Sequence, residues 1–169
     1  KVVHLVAHSL GNDPLTTALE RMAIRGKTEG KSGWPFGEVV LAAPDVDRNL
    51  FQVAVAAFQR IVHHTTSYVS SNDWALKASR TFRPTSIRAG DTSRGLTLVP
   101  GIDTIDVSTI DNTSWLDTGH GYLTENTWIL RDLYDVLKTG LKPSERFGHN
   151  PMPIGVKPPT YWTFVPRRR

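Results

Sequence analysis

Hydrophobic and polar positions in this chain switch repeatedly between a strand-like and a helix-like period, and the switches mark its elements. Val2, Val3, His4, Leu5 and Val6 form a nearly unbroken run of strand formers that stops at Ala7-His8-Ser9-Leu10-Gly11. Leu15, Ala18, Leu19 and Met22 then recur at helical spacing over 14–24, with Pro14 acceptable in a first turn. Residues 26–37 are polar and glycine-bearing, so they read as a loop. Residues 38–43 (Glu-Val-Val-Leu-Ala-Ala) predict a strand covered on both faces, broken by Pro44-Asp45-Val46-Asp47. Leu50, Val53, Ala54, Ala57, Phe58 and Ile61 predict a second amphipathic helix.

A third strand is expected over 65–69, ended by Ser70-Ser71-Asn72-Asp73, with a short helix from Leu76 to about Phe82. Residues 83–101 form a long connection, of a length that is usually functional or mobile. A fourth strand is expected over 102–107. Polar residues 108–121 lead to a helix carrying Ile129, Leu130, Leu133, Val136 and Leu137, with Gly140 as its stop. Four strand–helix alternations predict an α/β fold, a parallel sheet of about four strands with helices on both faces. Residues 1–140 carry that pattern. Residues 141–169 hold six prolines and read as an irregular tail over the surface. The apolar run at 2–6 suits a central strand. Residues 38–43 can pair with one of its edges, and nothing else here is an obvious partner for the other. The chain is therefore expected to be the later part of a domain whose earlier strands are missing.

Composition narrows the function classes. The 169 residues include 39% hydrophobic and 21% charged side chains, as in a soluble globular protein. No apolar run approaches the ~20 residues of a membrane span. Arg167, Arg168 and Arg169 supply three of the four net positive charges, so no basic face for nucleic acid is expected. The absence of cysteine excludes a disulfide scaffold, a thiolate metal site and a cysteine nucleophile.

The candidate chemistry begins at Ser9. A small residue, two positions, a serine and a glycine between an apolar strand and a helix is the layout of a nucleophile turn. Ala7 and Gly11 are the small residues two before and two after it. The N–H of Leu10 is placed to donate to an oxyanion. A serine nucleophile needs a histidine base, and that base needs a carboxylate to orient it. Reactive groups of such sheets gather at the carboxyl ends of the strands. There the sequence offers Asp73 after the third strand and His120, flanked by Gly119 and Gly121, after the fourth. Asp73 also fits a helix N-cap, and it can serve as both. Asp45, after the second strand, is the alternative acid, with Asp47 beside it. His4 reads as a packed core histidine, His8 as a bystander near the site, and His63 and His64 as solvated residues before a strand. Their spacing gives no metal site, and no cofactor is implied. Trp34 and Trp115 are candidate pocket residues.

Taken together, residues 4–12 (His-Leu-Val-Ala-His-Ser-Leu-Gly-Asn), 38–47, 70–76, Val-Pro-Gly-Ile-Asp-Thr-Ile-Asp at 99–106 and Gly-His-Gly-Tyr at 119–122 resemble the α/β-hydrolases. More closely, the chain resembles the bacterial esterase/lipase-like group catalogued as a domain of unknown function, DUF900. The resemblance spans most of residues 1–147. It implies a serine hydrolase acting on a small-molecule ester, with Ser9 as nucleophile, Asp73 as acid and His120 as base. It also implies a missing N-terminal half of the same domain, which would carry the second oxyanion donor. Gly121 stands where the family pattern would place serine. The rival expectations are a non-catalytic domain using the same cleft for binding or assembly, and an acyl transferase or peptidase on the same triad.

Overall fold

The computed structural model describes residues 2–28, 36–73, 76, 86–110, 126–146, 149–152 and 161–164. Strand β1 is Val3–His8, followed by a short 3-10 turn at Ser9–Gly11 and helix α1, Asn12–Thr28. Then come β2 (Phe36–Ala42), α2 (Arg48–Phe58), β3 (Val62–Val69) and β4 (Asp103–Asp106). Helix α3 (Thr127–Thr139), β5 (His149–Met152) and β6 (Tyr161–Phe164) complete the chain. They form one six-stranded sheet in the order β1-β2-β3-β4-β6-β5. Strands β1, β2, β3, β4 and β6 are parallel, and β5 runs antiparallel on β6.

Helices cover both faces, as the alternation predicts. On one face Leu19 and Ala23 of α1 and Phe51, Val55 and Phe58 of α2 pack on Val39 and Leu41. On the other, Ile129 and Val136 of α3 pack on Val40, Tyr68, Ile105 and Phe164. Residues 39–43 are buried completely because β2 lies between two covered faces and two paired edges. Three of the helix ends have a local reason. Asp47 caps α2, its Oδ1 accepting from the N–H groups of Asn49 and Leu50. Asn126 caps α3 through the N–H of Trp128, and Gly140, at φ 64°, ends it in the left-handed conformation.

Several expectations are corrected. The tail is not irregular throughout, since 149–152 and 161–164 are strands and β6 pairs with β4. Counting prolines across the tail hides the strand-forming run Tyr161-Trp162-Thr163-Phe164. Pro151 lies in an antiparallel edge strand, where a missing N–H is tolerated. As expected from the lack of a second partner, β1 occupies an edge of the sheet and pairs only with β2 among the described residues. Val2, Val3 and Val6 are accordingly 64%, 46% and 47% exposed. β3 begins three residues earlier than expected, so His63 and His64 lie within it, and His64 is half-buried. His4 is exposed on β1 rather than packed in the core. The short helix expected up to Phe82 lies, apart from Leu76, outside the described residues.

A buried polar network joins the sheet to α3 and to the segment after it. The Tyr68 hydroxyl donates to Asp132. Arg146 lies between Asp132 and Asp103 at 3.6 and 3.5 Å, and its Nε donates to the Leu141 carbonyl at 2.6 Å. His64 Nε2 stands 2.7 Å from the same Asp103 carboxylate. Burial, reinforced by the Asp132 carboxylate, pushes the Tyr68 hydroxyl well above the ordinary phenol range. Tyr68 thus stays protonated in the folded chain while an unfolded tyrosine ionises near pH 10. The unfolded state then binds fewer protons, so this contribution is intact below about pH 10 and is lost as pH rises further. Urea denaturation in alkali should show stability falling above that pH, with a weaker fall in Tyr68→Phe. An equal fall in both proteins would remove Tyr68 as its cause.

Candidate active site

The strand ends are aligned across the sheet. His8 stands opposite Ala42, Ala42 opposite Tyr68, and Tyr68 opposite Ile105. Because these strands are parallel, Ser9, Asp45, Asp73 and Ser108 all follow strands at the same pole. Two strand spacings, about 10 Å, separate β1 from β3.

Ser9 sits at φ 54°, and the only other described non-glycine residue at positive φ is Ala43, at 45°. An L-residue there brings its Cβ against the backbone, at a cost on the order of 1–2 kcal/mol. The surrounding bonds hold Ser9 in place. Its carbonyl accepts from the Asn12 side-chain amide at 2.8 Å and from the N–H of Asp45 at 3.3 Å. The same Asn12 amide donates to the Ala42 carbonyl at 2.9 Å, tying the turn to the end of β2. Asn12 is fully buried in the first turn of α1. It escaped the sequence analysis, although an amide three residues after the serine, entering an apolar helix, was a legible signal. Leu10 lies in the 3-10 turn, whose first N–H groups have no partner within the turn itself.

The acidic candidates differ in their surroundings. Asp45 Oδ1 stands 3.1 Å from Arg88 Nε, with both side chains buried. Arg88 lies in a segment laid along the β2–α2 loop, where Arg48 N–H bonds Ile87, Ala89 N–H bonds Val46 and Gly90 N–H bonds Pro44. No local pattern announces this basic partner, which comes from more than forty residues away. Asp47 is the α2 cap described above. Its second oxygen accepts from the Ser86 hydroxyl at 2.6 Å, and that bond, more than the two N–H bonds, holds its carboxyl below the usual range.

Asp73 is buried beyond the end of β3, and its Oδ1 accepts from the Leu76 N–H at 3.0 Å, the cap geometry anticipated for it. Its loop is bound to the end of β4. The Ser108 hydroxyl accepts from Ser71 N–H at 2.8 Å and donates to Asp106, and the Asn72 amide donates to the Ser108 carbonyl at 2.9 Å. The chain toward position 120 therefore leaves β4 beside the Asp73 loop. His120, Trp115 and Trp34 lie outside the described residues.

Two glycines at this pole behave oppositely. A Cβ on Gly11 would meet nothing within 4 Å, so no described residue demands a glycine there. A Cβ on Gly90 would fall 2.7 Å from the Pro44 nitrogen and 2.8 Å from the Ala43 carbonyl carbon. Gly11→Ala should accordingly leave stability unchanged or raise it by up to about 1 kcal/mol. Gly90→Ala should cost about 1–3 kcal/mol, because backbone must move. Urea midpoints measure both, and a Gly90→Ala protein as stable as the parent would refute the contact.

Among curated proteins and among solved structures, nothing matches this chain. A family model described as "Alpha/beta hydrolase of unknown function (DUF900)" does match it, over residues 1–136. With strand, strained serine turn and helix in the order that fold requires, the chain belongs to the DUF900 family of alpha/beta hydrolases.

Proposed function

We propose that the chain carries the catalytic residues of a carboxylic-ester hydrolase, with Ser9 as nucleophile, His120 as base and Asp73 as acid. The observation that carries this reading is the positive φ of Ser9 at a strand–turn–helix corner. Strain of this kind persists only where the surroundings impose it, and it lifts a side chain clear of the sheet. Asp73 is preferred to Asp45 because the Asp45 carboxylate is already engaged by buried Arg88. A relay of two hydrogen bonds across an imidazole spans roughly 8 Å, which suits the separation of β1 and β3.

In this mechanism the Ser9 oxygen attacks the ester carbonyl carbon as His120 takes its proton, and the Leu10 N–H donates to the oxyanion. The tetrahedral intermediate collapses, His120 returns the proton to the departing alcohol, and an acyl-Ser9 ester remains. Water, activated by the same imidazole, then releases the carboxylate.

The open edge of β1, with Val3 and Val6 exposed, suits further strands of the same domain, from which a second oxyanion donor would come. Losing one such donor typically costs ~100- to 1,000-fold in turnover. Residues 1–169 alone should therefore self-associate and hydrolyse a p-nitrophenyl ester far more slowly than protein containing the upstream half. Fluorophosphonate labelling of that longer protein tests the proposal: modification of Ser9 supports it, and an unlabelled Ser9 beside active esterase controls rejects it.

A further inference from the structure

A cleft of about 590 Å3 opens at the pole of the sheet opposite Ser9, between the starts of β1, β2 and β3 and the last turn of α3. That volume lies in the ~300–1,000 Å3 range of small-molecule sites. Phe36, Ile61, Val62 and Leu137 give it apolar walls.

Its buried acid is Glu38, 4% exposed. Among the described residues that carboxylate has one polar partner, His63 Nδ1 at 3.0 Å, on a side chain that is 74% exposed. A Cβ on Gly140 would stand 3.5 Å from Glu38 Oε1, so the carboxylate lies against the C-terminal end of α3. Burial and the negative end of a helix both disfavour a bare carboxylate, and both favour a cation beside it. His63 answers that need only from the solvent side. Arg60 and Lys138 also line the cleft, and neither makes an ion pair or hydrogen bond among the described residues. His4 adds a neutral donor. The Glu38 N–H donates to its Nδ1 at 3.0 Å, which leaves the ring proton on Nε2. The ring occupies space that only a glycine leaves, since a Cβ on Gly37 would come within 2.9 Å of Nδ1. The two histidines and Glu38 do not form a metal-binding group.

We propose that this cleft binds an apolar amino acid. The ammonium group pairs with Glu38, the carboxylate with Arg60 and Lys138, and the side chain lies on Phe36, Ile61 and Leu137. A simple amine would leave both cations at the mouth unpaired, and a simple carboxylate would confront Glu38. The site is independent of the hydrolase reading, because it uses no residue of the Ser9 pole.

The test titrates protein that contains the whole hydrolase domain with L-leucine, 4-methylpentanoate (no ammonium) and 3-methylbutylamine (no carboxylate), following the ring signals of His4 and His63, assigned by substitution, by NMR. Leucine should shift His4 and His63 saturably and bind at least about tenfold more tightly than either analogue. Glu38→Gln should abolish the preference for leucine over 4-methylpentanoate. Arg60→Glu with Lys138→Glu, both on the surface, should weaken leucine about tenfold or more without weakening the amine. Equal affinity for the three probes would overturn the proposal. So would a shift of His8 with His4 and His63 unmoved, or no shift at about 10 mM leucine.

Discussion

Ser9→Ala, made in protein that contains the whole hydrolase domain, is expected to lower ester turnover by on the order of 10,000-fold or more. The loss should appear in kcat, because under the proposed mechanism the oxygen that would form the acyl-enzyme is gone while the rest of the Ser9 site is unchanged. Asp73→Asn should cost about a thousandfold or more, since an amide keeps the shape but no longer holds the imidazole in its reactive tautomer. The fold should survive the loss of the serine hydroxyl, because the Ser9 bonds that fasten the turn involve its backbone carbonyl. A second substitution separates catalysis from strain. Ser9→Gly removes the Cβ from a left-handed backbone, so it should be inactive yet more stable than the parent by about 1 kcal/mol. Ester turnover at the parental rate in Ser9→Ala would end the serine-hydrolase proposal. A Ser9→Gly protein no more stable than Ser9→Ala would instead show that the turn stores no strain.

The largest stability effect is expected at Arg146. Its side chain is fully buried between Asp132, itself fully buried, and Asp103. Truncating it to alanine leaves two carboxylates facing a void, and an uncompensated buried charge costs about 3–5 kcal/mol. That is a large share of the roughly 5–15 kcal/mol that holds a domain of this kind together. Arg146→Lys should recover only part of it, because one ammonium cannot reach both carboxylates and the Leu141 carbonyl. Urea denaturation gives the magnitude. Hydrogen exchange gives the location: the amides of 161–164 should lose protection first, since Arg146 fastens the segment leading to β5 and β6. A cost below about 1 kcal/mol, or a uniform loss of protection, would mean that the network does not anchor the C-terminal strands.

These two sites divide what could be read in the residues from what could not. The strand at 3–8, the corner at Ser9, the cap geometry of Asp73 and the stop at Gly140 were all legible in the residues. Each depends on backbone preference and apolar period within about ten neighbouring residues. Alternation of such units was enough for a parallel α/β sheet. The partners of polar residues were not legible. Nothing near Asp45 in the chain announces Arg88, and nothing near His64 announces Asp103; His63 is exposed, as its sequence context suggests, yet still reaches Glu38. The tail looked irregular because Tyr161–Phe164 is too short to announce a strand without β4 to pair with. Local pattern alone determined where the chain extends, coils and turns sharply, because those choices are made by adjacent residues. Tertiary structure decided which charges are neutralised, how the C-terminal strands join the sheet and where Arg146 is buried. Those outcomes depend on strand register and on contacts between segments tens of residues apart, for which a single sequence carries no local signal.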